Sequence, residues 1–107
     1  MKNLAWLLAL AAVFYVGGCS ATSILAERGI ASLQPGDRRE AVIDALGAPD
    51  VTEPRGQRFS RYASTPCSGT CVERLWYENQ FLPHIEAWSV ELDGTGHVVR
   101  TSHWASP

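Results

Sequence analysis

Leu4 to Val16 form an unbroken, uncharged apolar run, Leu-Ala-Trp-Leu-Leu-Ala-Leu-Ala-Ala-Val-Phe-Tyr-Val, preceded by Lys2 and followed by Gly17 and Gly18. At about 13 residues it has the length of a signal-sequence core and falls short of the roughly 20 needed to span a bilayer as a helix. One positive charge before the run and two small residues after it complete the pattern of a secretory signal. The alternatives for the same residues are an N-terminal core helix or an uncleaved anchor. Under the signal reading residues 1–18 are removed, and the remainder must fold without them.

The residues after the run sharpen that reading. Val16-Gly17-Gly18-Cys19 leads into the small polar residues Ser20, Ala21, Thr22 and Ser23. The stretch resembles a lipobox, where bacterial lipoproteins are cut just before a cysteine that is then acylated. The resemblance implies that Cys19 becomes a lipidated N-terminus carrying three acyl chains, palmitate among them. One chain holds a protein to a membrane only marginally, whereas several anchor it stably.

Residues 19–107 leave room for one small domain. They contain no lysine; the basic residues are Arg28, Arg38, Arg39, Arg55, Arg58, Arg61, Arg74 and Arg100, against eleven carboxylates. A mildly negative balance argues against nucleic acid and against anionic headgroups as electrostatic partners. Domains of this size are marginal without a staple. Cys67 and Cys71, in Pro66-Cys67-Ser68-Gly69-Thr70-Cys71, offer one. In an oxidising compartment the simplest reading is a local disulfide, which closes so short a loop that it is expected to stiffen a turn more than stabilise the whole fold. The rival is a zinc site using the two thiols with His84, His97 or His103, but the histidines are scattered and no second paired motif is present. Thioredoxin-like redox chemistry uses two intervening residues at a helix start, and this loop has three.

In chain order, a polar tether leads to a short helix over Ile24–Leu33, weakened by Gly29. Pro35-Gly36 then make a turn, Asp37 caps a helix of about nine residues with Glu40 as the partner of a capping box, and Val42, Ile43 and Leu46 form its apolar side. Gly47 and Pro49 stop it. A first strand is expected over Gln57–Ala63 and a second over Val72–Asn79. The clearest strand, His84–Leu92, sets Trp88, Val90 and Leu92 on one face and Ala87, Ser89 and Glu91 on the other. Asp93-Gly94-Thr95-Gly96 is a hairpin turn into a last strand, His97–Trp104, and Ala105-Ser106-Pro107 is a tail. The fold class is α+β: two short N-terminal helices on a three- or four-stranded antiparallel meander, a two-layer sandwich.

Leu33-x-Pro-Gly, then Val42-x-x-x-Leu46-Gly47-x-Pro49, Trp76-Tyr77 on a strand and a strand ending in Asp93-Gly94 resemble the small outer-membrane lipoproteins called SmpA/OmlA, or BamE-like. The resemblance covers roughly residues 30–102. It implies a lipid-anchored protein on the periplasmic face of the outer membrane, divided into a signal (1–18), a lipidated tether and short helix (19–32) and an α+β domain (33–104). It also implies an accessory role beside the machinery that inserts β-barrels, through protein contacts and with no cofactor. Ser20, where aspartate would signal inner-membrane retention, agrees with that destination. The Gln-Gly-Asn-type stretch expected after the lipidated cysteine of assembly-factor members is absent from Ser20–Gly29, and the Cys67/Cys71 loop is outside the family pattern.

Signals of catalysis are thin. No Gly-x-Ser-x-Gly elbow is present. His97 and His103 share a strand parity and could pair with Glu86 or Glu91, but form no ligand cluster. Glu73, Glu78, Glu86 and Glu91 read as a solvated sheet face. A non-enzymatic protein, with no catalytic and no metal residues, is expected. Arg58 and Arg61 frame Phe59 and Tyr62, residue types enriched where proteins meet partners. Those four, with Trp76 on the exposed face of the meander, are the candidate partner-binding residues; Tyr77 is the other aromatic of that face. An edge strand blunted by charge explains the arginines equally well. The alternative function is a periplasmic binding or inhibitor module acting on a single partner protein.

Overall fold

The computed structural model describes residues 2–105, with the Lys2 side chain excepted; Met1, Ser106 and Pro107, two of them the expected tail, lie outside. Helix α1 runs over Lys2–Ser32, α2 over Arg39–Leu46, and four strands complete the order: β1 Val51–Pro54, β2 Glu73–Glu78, β3 Glu86–Leu92 and β4 Val98–Ala105. The strands form one antiparallel sheet in the order β1-β2-β3-β4. The fold is α+β, with four strands rather than three.

The tether and the first short helix are not separate from the apolar run. All belong to α1, because Ser20–Ser23 do not break a helix and each internal glycine costs only about 1 kcal/mol against alanine. No charge interrupts Asn3–Ala26, so as a helix the segment is long and apolar enough to cross a membrane, and none of that apolar window is buried in the protein. Length therefore does not separate a signal from an anchor here. From Tyr15 onward α1 meets the domain, first at Phe81. A side-chain carbon at Gly29 would sit 2.6 Å from Leu46 Cδ2 and 3.1 Å from the Ala45 carbonyl, so the glycine is what lets α1 and α2 touch.

The capping box does not form. The Asp37 carboxylate turns back to accept the Gln34 amide at 2.8 Å, which closes the Pro35-Gly36 turn. The position before the helix is Arg38, with no side-chain cap among the described residues. Instead, the Arg39 amide donates to the Gly96 carbonyl (3.0 Å), the Gly36 amide to Val98 (2.8 Å) and the Val98 amide to Asp37 (2.7 Å). The β3–β4 hairpin thus satisfies the helix start. Val42 is fully buried and Leu46 packs beside it, while Ile43 stays outside the core cluster. Gly47, at φ +82°, ends α2 with its amide on the Ile43 carbonyl.

The first strand is Val51–Pro54, not Gln57–Ala63. Val51 and Thr52 are β-branched and pair with Trp76 and Leu75, and Gly56 (φ +85°) then turns the chain away. Residues 57–63 lack a strand period and fold as a loop. His84 does not open β3: it sits in a turn at φ +68°, and His97 likewise precedes β4. The Asp93–Gly96 hairpin is as expected, with its carboxylate accepting from the Thr95 amide and hydroxyl and the His97 amide. Those bonds hold the Asp93 carboxyl below the usual range.

Both sheet faces are covered. The helix face carries Leu75, Tyr77, Val90, Leu92 and Val98 against Leu33 and Val42. The opposite face carries Trp76, Ala87 and Trp104 under Phe59, Tyr62 and Ala63 of the loop between β1 and β2. The molecule is therefore helices, sheet and a covering loop, and the meander has no open face at Trp76 or Tyr77. Nor do the strand glutamates share a solvated face. Glu73 and Glu86 lie on the helix side, Glu78 and Glu91 on the other, and Glu91 is buried against Arg100.

Candidate functional site

Five side chains were expected to meet a partner, and the covering loop gathers all of them. Near its C-terminal end the Cys67–Cys71 disulfide closes a turn, with both cysteines buried and Cα atoms 5.3 Å apart. The sulfurs are committed to one another and unavailable to a metal. The Gly56 amide donates to the Cys67 carbonyl and the Cys67 amide to Gln57, so the loop folds back on itself.

Beneath it lies Glu53, 3% exposed, which sequence reasoning did not single out. Its carboxylate accepts from the Arg74 guanidinium (2.6 Å), the Trp76 indole N–H (3.1 Å) and the Phe59 amide. Arg74, equally buried, also donates to the Thr65 carbonyl at 2.7 Å. Its guanidinium lies 5.2 Å from the Trp76 ring centre and 6.0 Å from that of Trp104. A buried charge pair is tolerable only when its remaining hydrogen bonds are met, and here each partner has them. The one available sequence signal was parity: Glu53 and Arg74 each fall two residues from a large side chain on the same face, Val51 and Trp76.

Trp76 is fully buried, at 0% exposure. Tyr62 stacks on it at 5.8 Å, Phe59 meets it edge-on at 5.4 Å and Trp104 packs at 5.5 Å. Trp76 therefore cannot touch a partner in this structure; it is the floor on which the loop rests. Phe59 and Tyr62 are half-buried, and the Tyr62 hydroxyl accepts the His84 amide at 3.0 Å. Burial pushes that hydroxyl's pKa up. Arg58 and Arg61 remain exposed. Arg58 donates to the Ala63 carbonyl (3.2 Å), and Arg61 bonds Glu78 (2.6 Å) while covering the Phe59 ring. What this face offers outward is two held guanidinium groups and the edges of two rings.

Cys19 lies elsewhere, at the end of the domain where α1 arrives. It is half-buried, and its carbonyl accepts from Asn79 Nδ2 at 3.4 Å. Asn79 also donates to Glu86, which accepts from His103 (3.0 Å) and Ser23 (3.4 Å) as well. Burial pushes the Glu86 carboxyl up, but the bonds from Asn79, His103 and Ser23, with the nearby His103 ring, outweigh it and hold the carboxyl low. Ligand atoms of Glu27, Glu86 and His103 fall within 4.8 Å of one another, and of these Glu86 and His103 are hydrogen-bonded to each other. His84 and His97 do not join it. His97 pairs with Thr95 Oγ1 at 2.7 Å.

Compared with models of protein families, with curated proteins and with solved structures, the chain finds no match.

Proposed function

We propose that this chain is a lipid-anchored outer-membrane lipoprotein facing the periplasm. It works without catalysis, as a scaffold or accessory in envelope protein assembly of the kind the SmpA/OmlA, BamE-like resemblance implies. The observation that carries the reading is α1: the large apolar residues of its first half, from Leu4 to Val16, are exposed, and it meets the domain at Tyr15 and Gly18, beside Cys19. Such a surface requires either a membrane or removal. Cleavage before Cys19 leaves residues 19–32 as a short helix beside α2, which gives the two-helix architecture expected for residues 33–104 and their tether. Partner contact falls to the rim of the stapled loop, Arg58, Phe59, Arg61 and Tyr62, with Trp76 supporting them from below.

Mass spectrometry of the N-terminal peptide tests the anchor, with acylated Cys19 as the expected species. Crosslinking and affinity purification from outer membranes, with Cys19→Ala as control, tests the role. Barrel-assembly subunits that co-purify with the parent and fall away with the control are the expected result. The stiffened, arginine-bearing loop also favours a second reading, an inhibitor module for one protein, and a single dominant soluble partner would select it.

A further inference from the structure

The turn between β2 and β3 carries apolar side chains that the domain leaves uncovered. Phe81 is 40% exposed and Ile85 48%, with Leu82 half-buried between them. These residues lie where α1 reaches the domain. A side-chain carbon at Gly18 would sit 2.7 Å from Phe81 Cζ, the Tyr15 ring meets Phe81 edge-on at 6.2 Å, and the Tyr15 hydroxyl donates to the Phe81 carbonyl. An open groove beside Cys19 is lined by Ser23, Ile24, Leu82 and Glu86. Ile24, a turn beyond Cys19, is itself 49% exposed.

We infer that the β2–β3 turn is a second membrane contact, entering the interface of the leaflet that holds the N-terminal anchor. The inference rests on the anchoring reading and adds to it a fixed orientation of the domain. Continuity carries it. The Cys19 carbonyl is bonded to Asn79, and Asn79 Oδ1 accepts the Phe81 amide at 3.0 Å, so no slack chain separates the anchor from the turn. Whether α1 stays whole or is cut before Cys19, the membrane lies at this end; cutting also strips Tyr15 and Gly18 from Phe81 and bares more of its ring. Gln80–Ile85 contains no arginine or lysine, so the occupant is the apolar edge of the bilayer rather than an anionic headgroup, and the contact is insensitive to salt. α1 and β3 both lead away from this end, so the Asp93–Gly96 hairpin stands about 20 Å further out, taking the rise of α1 from Cys19 to Leu33.

The test uses the full chain, expressed so that its N-terminus is processed as in the cell and reconstituted into phosphatidylcholine vesicles brominated in the upper acyl chain. Phe81→Trp is compared with Thr95→Trp on the distal hairpin, both in a Trp6→Phe background and both checked for fold by circular dichroism. The expected result is loss of the added Phe81→Trp emission relative to unbrominated vesicles, unchanged at high salt, with no loss for Thr95→Trp. Vesicle-bound protein in which neither probe is quenched, or both are equally, overturns the turn contact alone. Protein that does not float with vesicles at all overturns the anchoring reading and the turn contact together.

Discussion

Glu53 and Arg74 face each other across the β1–β2 pair at 2.6 Å, each no more than 3% exposed. This ion pair sits between the sheet and the loop that covers it, and it organises both. Glu53 reaches the loop through the Phe59 amide and Arg74 reaches it through the Thr65 carbonyl. Truncating one partner leaves the other charge buried and uncompensated, so Glu53→Ala is expected to cost about 3–5 kcal/mol. Replacing both by apolar residues, Glu53→Leu with Arg74→Met, should recover most of that loss. Urea unfolding of the parent and the two variants measures it, and a double variant no better than the single one would refute the pairing as the source of the cost.

The Cys67–Cys71 bond closes a loop of very few residues, so its chain-entropy contribution is small, about 2 kcal/mol. Its larger effect should be local. In Cys67→Ala/Cys71→Ala, hydrogen exchange of the Ala63 amide, bonded to the Phe59 carbonyl, should accelerate far more than that of β3 amides. Uniform acceleration across the sheet would show instead that the bond supports the whole fold.

Burial pushes the Tyr77 hydroxyl up to about 12, against about 10 for an unfolded tyrosine. Below pH 10 both states keep the proton and the stabilisation is complete. Between pH 10 and about 12 the unfolded chain ionises while the folded one does not, so stability falls across that window and levels off above it. Tyr77→Phe should flatten this slope relative to the parent in pH-dependent denaturant unfolding. It should also cost about 1 kcal/mol at neutral pH through the lost 2.9 Å bond to the Gly47 carbonyl.

Gly29 is where α1 and α2 meet, and a larger side chain has no room there. Gly29→Val should destabilise the packing of residues 19–32 by about 1–3 kcal/mol, since overpacking forces a backbone shift. Protease sensitivity of that segment should rise while the melting of the sheet, followed by near-UV dichroism, changes less. Unchanged sensitivity would mean that the segment does not depend on α2.

Acid should loosen the membrane-proximal network. Glu86 is held low by its hydrogen-bond donors, so their contribution is present above the unfolded carboxyl value and is lost as pH falls through the lower folded one. Glu86→Gln should remove this acid dependence, read by the chemical shifts of Asn79 and Ser23 during titration.

Much of the helix face was legible because periodicity reports which side of its own axis a residue occupies. Val42 with Leu46, and Trp88, Val90 and Leu92 on β3, can be read from spacing alone, as can the stop at Gly47 and the Asp93–Gly96 hairpin. The expected Asp37 cap failed because the competing acceptor was not local. Gly96 and Val98, distant in sequence, supplied backbone partners that left the carboxylate free to close the Gln34 turn. Glu53 is similar: between a threonine and a proline it has only its parity with Val51 to mark it, and its role is set by Arg74 standing opposite.

The sequence by itself determined that the chain begins with an apolar segment ending in Gly-Gly-Cys, that a helix and antiparallel strands come after it, and that Cys67 and Cys71 are close enough to bond. Only the tertiary structure decided what covers the second face of the sheet. Alternation places Trp76 opposite Leu75 and Tyr77, but it says nothing about which layer, water or protein, meets that side. Residues 57–63 have no period of their own. They became a covering layer because the backbone bonds of Gly56 and Gln57 to Cys67, the Glu53 carboxylate and the Trp76 ring hold Phe59 and Tyr62 on the sheet. Burial depends on the joint position of groups far apart in the chain, and so Trp76, which reads locally as a surface aromatic, lies in the core.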